Sequence, residues 1–565
     1  MPSSTPESKV EVVKRESHGL RGSIADGLAS PSSHFGGGDP QLLKFHGIYQ
    51  GVDRDTATER KQSGVEKDYE FMIRVKIPGG RLTAEQYLAL DDLAGLYGNG
   101  NMRVTTRQGI QYHSVLKADL KPTISKINDA LLTTLSACGD VVRNVTATPA
   151  PIADKVHRQL QDDAALVSRE LSPRTRGYHE VWVDGASVVG SDETDPLYGD
   201  TYLPRKFKIG LATPEDNSID VLSNDLGIIA LFEGQTLLGY NLAVGGGLGM
   251  THNKPQTYPR LATPLTFVPP GRLIEAVKAV ILVQRDHGDR VNRKHARLKY
   301  LLDEKGTAWF KAEVEARLGT ALDDPRPMKP FRVVDHMGWH PQGDGKWYFG
   351  LPIDNGRIRD GGGIDLRTGL RAVVEEFRVT PILMPTQDIL LADVEEGDKV
   401  AIETMLQHHG VMLPATLTPV ARWAMACPAL PTCSLALNEA ERIRVPLIAE
   451  FEAALARHGL ADAKFSVRIT GCPNGCARPY AGDVGLVGRT PNEYAIYLGG
   501  DFEGTRLSTL VFERIRLDRL VPTLEPLFEA YRAKRAGGEG FGDFCHRLGR
   551  DALRTLADGA AAGAA

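Results

Sequence analysis

Apolar and basic residues alternate at 73–77, where Ile73, Val75 and Ile77 are separated by Arg74 and Lys76. A period of two predicts a strand over 71–77, with both cations on one face and the apolar set on the other. After the Pro78-Gly79-Gly80 turn, residues 82–97 carry apolar positions at helical spacing. Residues 102–115 read as two short strands around Gly109. Further helices are expected at 120–132, 272–287 and 439–458. Short strands thus alternate with amphipathic helices, which predicts an α+β chain.

The pattern repeats. Residues 71–115 and 347–394 share one order of strand, glycine-containing turn, helix and strand, with Met102-Arg-Val-Thr105 set against Phe377-Arg-Val-Thr380. Residues 206–249 and 465–504 form a second pair. There Phe207-Lys-Ile-Gly210 answers Val467-Arg-Ile-Thr-Gly471, and Leu226-Gly-Ile-Ile229 answers Val484-Gly-Leu-Val487. Two repeated units in the order A, B, A′, B′ imply an internally duplicated, pseudo-twofold molecule with a site near its axis. The Ser-, Gly- and Pro-rich start is expected to run extended, and the Ala/Gly tail to be disordered.

Composition narrows the function. A net charge of −4 gives no general reason to bind nucleic acid or an anionic membrane. No 18-residue apolar run is present, and the first residues lack the apolar core of a signal peptide. The cytoplasm is the expected compartment. Gly245-Gly-Gly-Leu-Gly249 is glycine-rich but is not a dinucleotide fingerprint, and no P-loop occurs. Electrons for redox chemistry would have to come from another protein.

Four of the six cysteines form two close pairs, Cys427 with Cys433 and Cys472 with Cys476, at C-x5-C and C-x3-C spacing. Thiolates suit iron–sulfur clusters or zinc. Structural zinc favours C-x2-C or C-x4-C, and disulfides lack a secretory segment here, so a cluster leads and zinc stays open. Cys138 and Cys545 read as small buried hydrophobes. Lys206 and Lys208 share a strand face, as Arg74 and Lys76 do, with Arg107 and Arg143 nearby. The bland reading is a solvated basic face. On central strands, two like charges ~4 Å apart would repel by about 4 kcal/mol at an effective dielectric of ~20, so such cations need an anion.

At these residues the chain resembles the sulfite reductase hemoprotein family of the siroheme nitrite and sulfite reductase superfamily. The resemblance runs from about Val10 to Leu548. It rests on Lys44-Phe-His-Gly-Ile-Tyr-Gln50, Arg103-Val-Thr-Thr-Arg-Gln-Gly-Ile-Gln-Tyr-His113, Tyr202-Leu-Pro-Arg-Lys-Phe-Lys208 and Thr470-Gly-Cys-Pro-Asn-Gly-Cys476. It implies ferredoxin-like half-domains at 61–145 and 341–415, and two siroheme/Fe–S-type α/β domains at 146–340 and 416–555. An extended segment at 1–60 and a disordered tail at 556–565 complete the expected layout.

The family implies a [4Fe–4S] cluster on Cys427, Cys433, Cys472 and Cys476, with Cys476 also the proximal ligand of siroheme iron. It implies Arg74, Arg143, Lys206 and Lys208 as the cations around substrate. Arg107, Gln108, Gln111, His113 and Asn474 are the implied cofactor contacts. The implied reaction is six-electron reduction of sulfite to sulfide, in sulfate assimilation and cysteine biosynthesis. Electrons would come from an NADPH-dependent flavoprotein component or from ferredoxin. Nitrite reduction on the same fold, and a non-enzymatic siroheme carrier, are the alternatives. Some relatives carry a Tyr–Cys crosslink near the Arg143 segment. Its cysteine falls at Val141 or Val142 here, so none is expected.

Overall fold

A computed structural model of the chain describes residues 6–174, 182–183, 186–187 and 195–563. Two five-stranded sheets repeat one topology. In the first, Thr146–Ala147, Ile209–Ala212 and Leu226–Glu233 run parallel, and Thr236–Val244 and Thr263–Val268 add antiparallel strands. In the second, Met425–Ala426, Val467–Thr470, Val484–Thr490, Glu493–Leu498 and Thr509–Arg516 do the same in the same order. The remaining large sheets belong to the ferredoxin-like halves, built on Tyr69–Arg74, Met102–Val104 and Ile110–Val115, and on Trp347–Leu351, Thr380–Leu383 and Ile389–Val394. The helices expected at 82–97, 120–132, 272–287 and 439–458 form as Ala84–Leu96, Leu120–Asp129, Leu273–His287 and Glu441–Arg457. No helix among the described residues is long and apolar enough to cross a membrane.

The ferredoxin-like halves share one core, in which Phe71, Tyr87 and Val104 pack with Phe349, Leu370 and Leu391. They also exchange backbone. Arg357–Ile358 pairs with Arg103 and Met102, and Arg81 bridges Ile382. The crossing leaves no room for side chains. Gly80 and Gly356 sit at φ 79° and 71°, and a Cβ there would come within 2.4 Å of the Leu383 carbonyl and 2.2 Å of the Val104 carbonyl. Gln108 and Gln387 flank the same crossing. Gln108 donates to the carbonyls of Gly79 and Leu383, and Gln387 donates to that of Asn355.

Strand pairing corrects the register of both repeats. Val104 pairs with Ile110 as Leu383 pairs with Ile389, so Leu383 is the counterpart of Val104. Phe377 instead ends the helix Leu366–Phe377, which Arg378 terminates at φ 52°. The shared Arg-Val-Thr string is a coincidence. In the second repeat Ile209 opposes Leu226 as Val467 opposes Val484. Lys206 therefore corresponds to Lys464, and Lys208 to Ser466. The loops after these strands, 213–218 and 471–476, are of equal length, and Pro214 and Ser218 stand where the second copy has Cys472 and Cys476.

The chain ends also differ from expectation. Of the segment over 1–60, residues 6–60 include helices Lys9–Arg15, Ile24–Ala29 and Asp39–Leu42 and strand Ile48–Val52, and residues 1–5 lie outside the described residues. Glu11 and Lys14 are buried and paired at 2.6 Å, and Lys14 Nζ donates to the Leu203 carbonyl. The Ser, Gly and Pro content suggests an extended run, but these buried partners anchor the segment to the body of the protein. At the other end, helix Arg550–Gly563 runs through most of the expected disordered tail, as its alanines favour. Residues 564–565 lie outside the described residues.

Gly80→Ala should lower the melting temperature by several degrees, a cost of roughly 2 kcal/mol for strain and overlap. Gly271→Ala, with nothing within 4 Å of its Cβ, is the control and should change little. Equal melting of both variants would contradict the tight crossing.

Candidate functional site

A cavity of about 370 Å3 lies between the two copies. One wall comes from the first copy. Phe207 is fully buried in the core, bridging Val142, with its N–H on the Val141 carbonyl and its carbonyl on the Arg143 N–H. The extended backbone therefore turns Lys206 and Lys208 to the opposite side, where both line the cavity. Arg74 closes strand Tyr69–Arg74, whose Phe71 and Ile73 are core residues. Its guanidinium is accepted by the amide oxygen of Gln111 at 2.6 Å, in the orientation that satisfies both groups. Arg143 is fixed by its Nε on the Gly139 carbonyl.

The other wall carries the thiols. Strands Met425–Ala426 and Val467–Thr470 are parallel neighbours, and Cys427 and the loop with Cys472 and Cys476 leave their carboxyl ends, where ligands bind open α/β sheets. The Gly471 N–H points to Cys427 Sγ at 3.3 Å, and Asn474 Nδ2 lies 3.5 Å from Cys472 Sγ. Thr106 Oγ1 donates to the Cys476 carbonyl at 3.1 Å. Burial pushes the Cys472 thiol up to about 12, with neighbouring Cys476 adding to it. Cys427 and Cys433 are raised for the same two reasons. Thiols raised in this way ionise only beside a cationic centre. A set of four thiols on one wall suits an iron–sulfur cluster.

Nine cationic residues line the cavity, against the carboxylates of Glu70 and Asp140. Arg107 reaches in while bonding Asn224 Oδ1 and the carbonyls of Ile209 and Asn144. Burial draws Lys206 down to about 7, with Arg297, Arg143 and Arg205 adding to the shift. Lys208 is lowered well below the usual lysine value, by burial and then by Lys206. His113 is held neutral by burial, with Arg357, Arg103 and Arg74 around it, and its Nδ1 lies 3.1 Å from Arg357. Such a concentration of like charge in one cavity suits a polyanionic occupant.

Residues 162–322 and 420–562 match the family described as nitrite and sulphite reductase 4Fe-4S domain, and residues 65–130 match the nitrite/sulfite reductase ferredoxin-like half domain. A sulfite reductase [NADPH] hemoprotein beta-component of Myxococcus xanthus is 47% identical over 96% of this chain and 97% of its own. A sulfite reductase [ferredoxin] of Synechococcus elongatus is 44% identical over 99% of this chain and 92% of its own. The chain belongs to the nitrite and sulphite reductase family. A solved structure, that of the Mycobacterium tuberculosis NirA protein, shares its fold at TM-score 0.78 and 23% identity, over 97% and 98% of the two chains.

The family's cofactors are a [4Fe–4S] cluster and siroheme, and the cavity fits both. The four thiols converge on one wall, and the cations opposite match a tetrapyrrole bearing carboxylates. Of the contacts expected from the sequence, Arg107, Gln111, His113 and Asn474 line the cavity. Gln108 does not. Its φ of 52° turns the amide away, into the crossing of the halves. Lys76 shares the strand face of Arg74 but is drawn off to Ser136 Oγ and Ser172 Oγ.

Several lining residues escaped the sequence. Arg103 alternates with buried Met102 and Val104 as Arg74 does with Ile73 and Val75, a signal that was available. Cys138 is more than a small hydrophobe. Its sulfur accepts from Arg74 Nη1 at 3.0 Å and is hydrogen-bonded to the Tyr49 hydroxyl. Val141 and Val142 are core residues. The expectation of no crosslink rested on those valines and loses that ground, because Cys138 is the thiol that faces Tyr49.

Between pH about 7 and 10.5 an unfolded lysine binds a proton that folded Lys206 has shed. The cofactor-free protein should therefore gain stability as pH rises from about 7 to 8.5, below the range in which the raised thiols act in the opposite sense. An anion entering the cavity should reverse the shift, with net proton uptake near pH 8, read by calorimetry in buffers of different ionisation enthalpy. Stability that falls across the window would contradict the assignment.

Proposed function

We propose that this protein reduces sulfite to sulfide by six electrons, with Arg74, Arg143, Lys206 and Lys208 holding the substrate. The supporting observation is that these four cations, from three separate segments, line one cavity facing Cys427, Cys433, Cys472 and Cys476. When bound, siroheme offers sulfite an iron centre, and the [4Fe–4S] cluster feeds that centre with electrons. Cys476, exposed where the other thiols are more buried, would be the thiolate open to both cofactors in this reading. The two arginines keep their charge and orient the sulfite oxygens. The two lysines, with lowered proton affinity, release protons to oxygens that leave as water. Arg103, Arg107, Gln111, His113 and Asn474 hold the cofactors.

The electron donor in this reading is an NADPH-dependent flavoprotein component, and the Myxococcus xanthus relative is named for NADPH. The Synechococcus elongatus relative is named for ferredoxin, so reduction by each donor separates the two cases. Six free thiols support a reducing compartment, the cytoplasm.

The test is purified protein carrying both cofactors, given a reduced dye and either sulfite or nitrite. Sulfide release from sulfite is expected, and its absence ends the reading. Lys208→Ala should keep its cofactor bands and lose about 100-fold in turnover. Unchanged turnover would remove Lys208 from the reaction.

A further inference from the structure

The glycine-rich stretch at 245–249 has no nucleotide to bind, yet it is held more tightly than an ordinary loop. It leaves strand Thr236–Val244 of the first copy and crosses to the cysteine loop of the second. There the Met250 N–H donates to the Pro473 carbonyl at 2.9 Å, and the hydroxyl of buried Tyr480 donates to the same oxygen at 2.9 Å. Gly249 passes so close that a Cβ would stand 3.3 Å from the Asn474 carbonyl. At its other end the Gly245 N–H donates to the Asp225 carbonyl. The Asp225 carboxylate accepts from the Lys208 N–H at 2.8 Å and from Arg297 Nε and Nη2 at 2.8 Å. One short loop thus ties the backbone of a substrate lysine to the backbone between two thiols.

Lys299 holds this loop from inside. It is fully buried, and its ammonium donates to the carbonyls of Gly247 and Gly249 at 3.0 Å each, and to that of Tyr258. The Tyr300 ring lies 4.9 Å away. An ammonium carries three protons, and here each has a carbonyl. Burial draws its pKa to about 7, and the three acceptors favour the charged form against that pull.

We propose that Lys299 is a positioning residue for the thiolate wall. Its ammonium fixes loop 245–250, which fixes Pro473 and so places Cys472 and Cys476 opposite Lys206 and Lys208. The effect on the bound cofactors rests on the function proposed above, whereas the effect on loop 471–476 does not. The second copy supports the arrangement, since its own loop braces the opposite turn through Asn217 Nδ2 on the Glu503 carbonyl.

Lys299→Met preserves length and removes all three donors. In the full-length cofactor-free chain, Cys472 should react with a thiol reagent severalfold faster than in wild type, while Cys545 keeps its rate. In the cofactor-loaded protein, loss of the buried charge should shift the cluster midpoint potential to more negative values. It should also alter the electron paramagnetic resonance line shape, with kcat reduced about tenfold and KM for sulfite unchanged. Lys299→Arg should recover part of each effect. An unchanged Cys472 rate overturns the proposal, whatever the cofactor content. If Lys299→Met does not fold, Gly249→Ala carries the test. Its Cβ should displace Asn474 and raise the Cys472 rate with little change in melting temperature, and a wild-type rate overturns the proposal equally. Absence of sulfite reduction by loaded wild type ends the functional reading and leaves the labelling result to stand alone.

Discussion

Charge confined in a cavity is the constraint on which the rest of this molecule depends. Lys206, Lys208, Arg74 and Arg143 line one cavity of about 370 Å3. Two like charges ~4 Å apart would repel by about 4 kcal/mol at an effective dielectric of ~20. The protein meets this in two ways. It lowers the proton affinity of the lysines, and it leaves an opening shaped for polyanions. On the opposite wall Cys427, Cys433 and Cys472 have the reverse problem, since burial, with neighbouring thiols adding to it, raises their proton affinity. Each wall is electrostatically incomplete, and the cofactors complete both.

Only a rigid frame can hold two such walls apart and in register. The duplicated fold supplies it. The halves share a core, exchange backbone through Arg357 and Arg81, and cross where Gly80 and Gly356 admit no side chain. The same symmetry produces a second position that is chemically silent. Arg422 stands where the first site has Arg143, and Lys464 stands for Lys206, but Ser466 replaces Lys208 and Ser218 replaces Cys476. The corresponding cavity is about 20 Å3. Arg468 and Arg478 fill it and pair with Asp220. In place of a cluster, loop 213–218 is held by Asp216 on His336 at 2.7 Å.

Much of this was legible in the sequence wherever a side chain's role follows from periodicity or spacing. The alternation around Phe207 turned Lys206 and Lys208 outward, and the four cysteines stood out by their clustering. Roles set by backbone dihedrals were not legible. Gln108 sits in a motif beside the site, but its left-handed backbone sends it elsewhere. Buried charge was equally hidden. Glu11 and Lys14 look like surface residues until their partners are known, and Lys299 is an ordinary lysine until three carbonyls surround it. The repeat was detectable while its register was not, because Arg-Val-Thr recurs by chance four residues out of phase.

On the function proposed above, thiolates from one copy and cations from the other would close on a single redox centre, with Cys476 serving both cofactors. Its most direct measurement is the Mössbauer spectrum of the iron-57-enriched, cofactor-loaded protein. The account predicts that the siroheme iron and the cluster irons form one exchange-coupled spin system, and that Cys476→Ser loses the coupling. Magnetically independent heme and cluster spectra in the wild-type protein would contradict it.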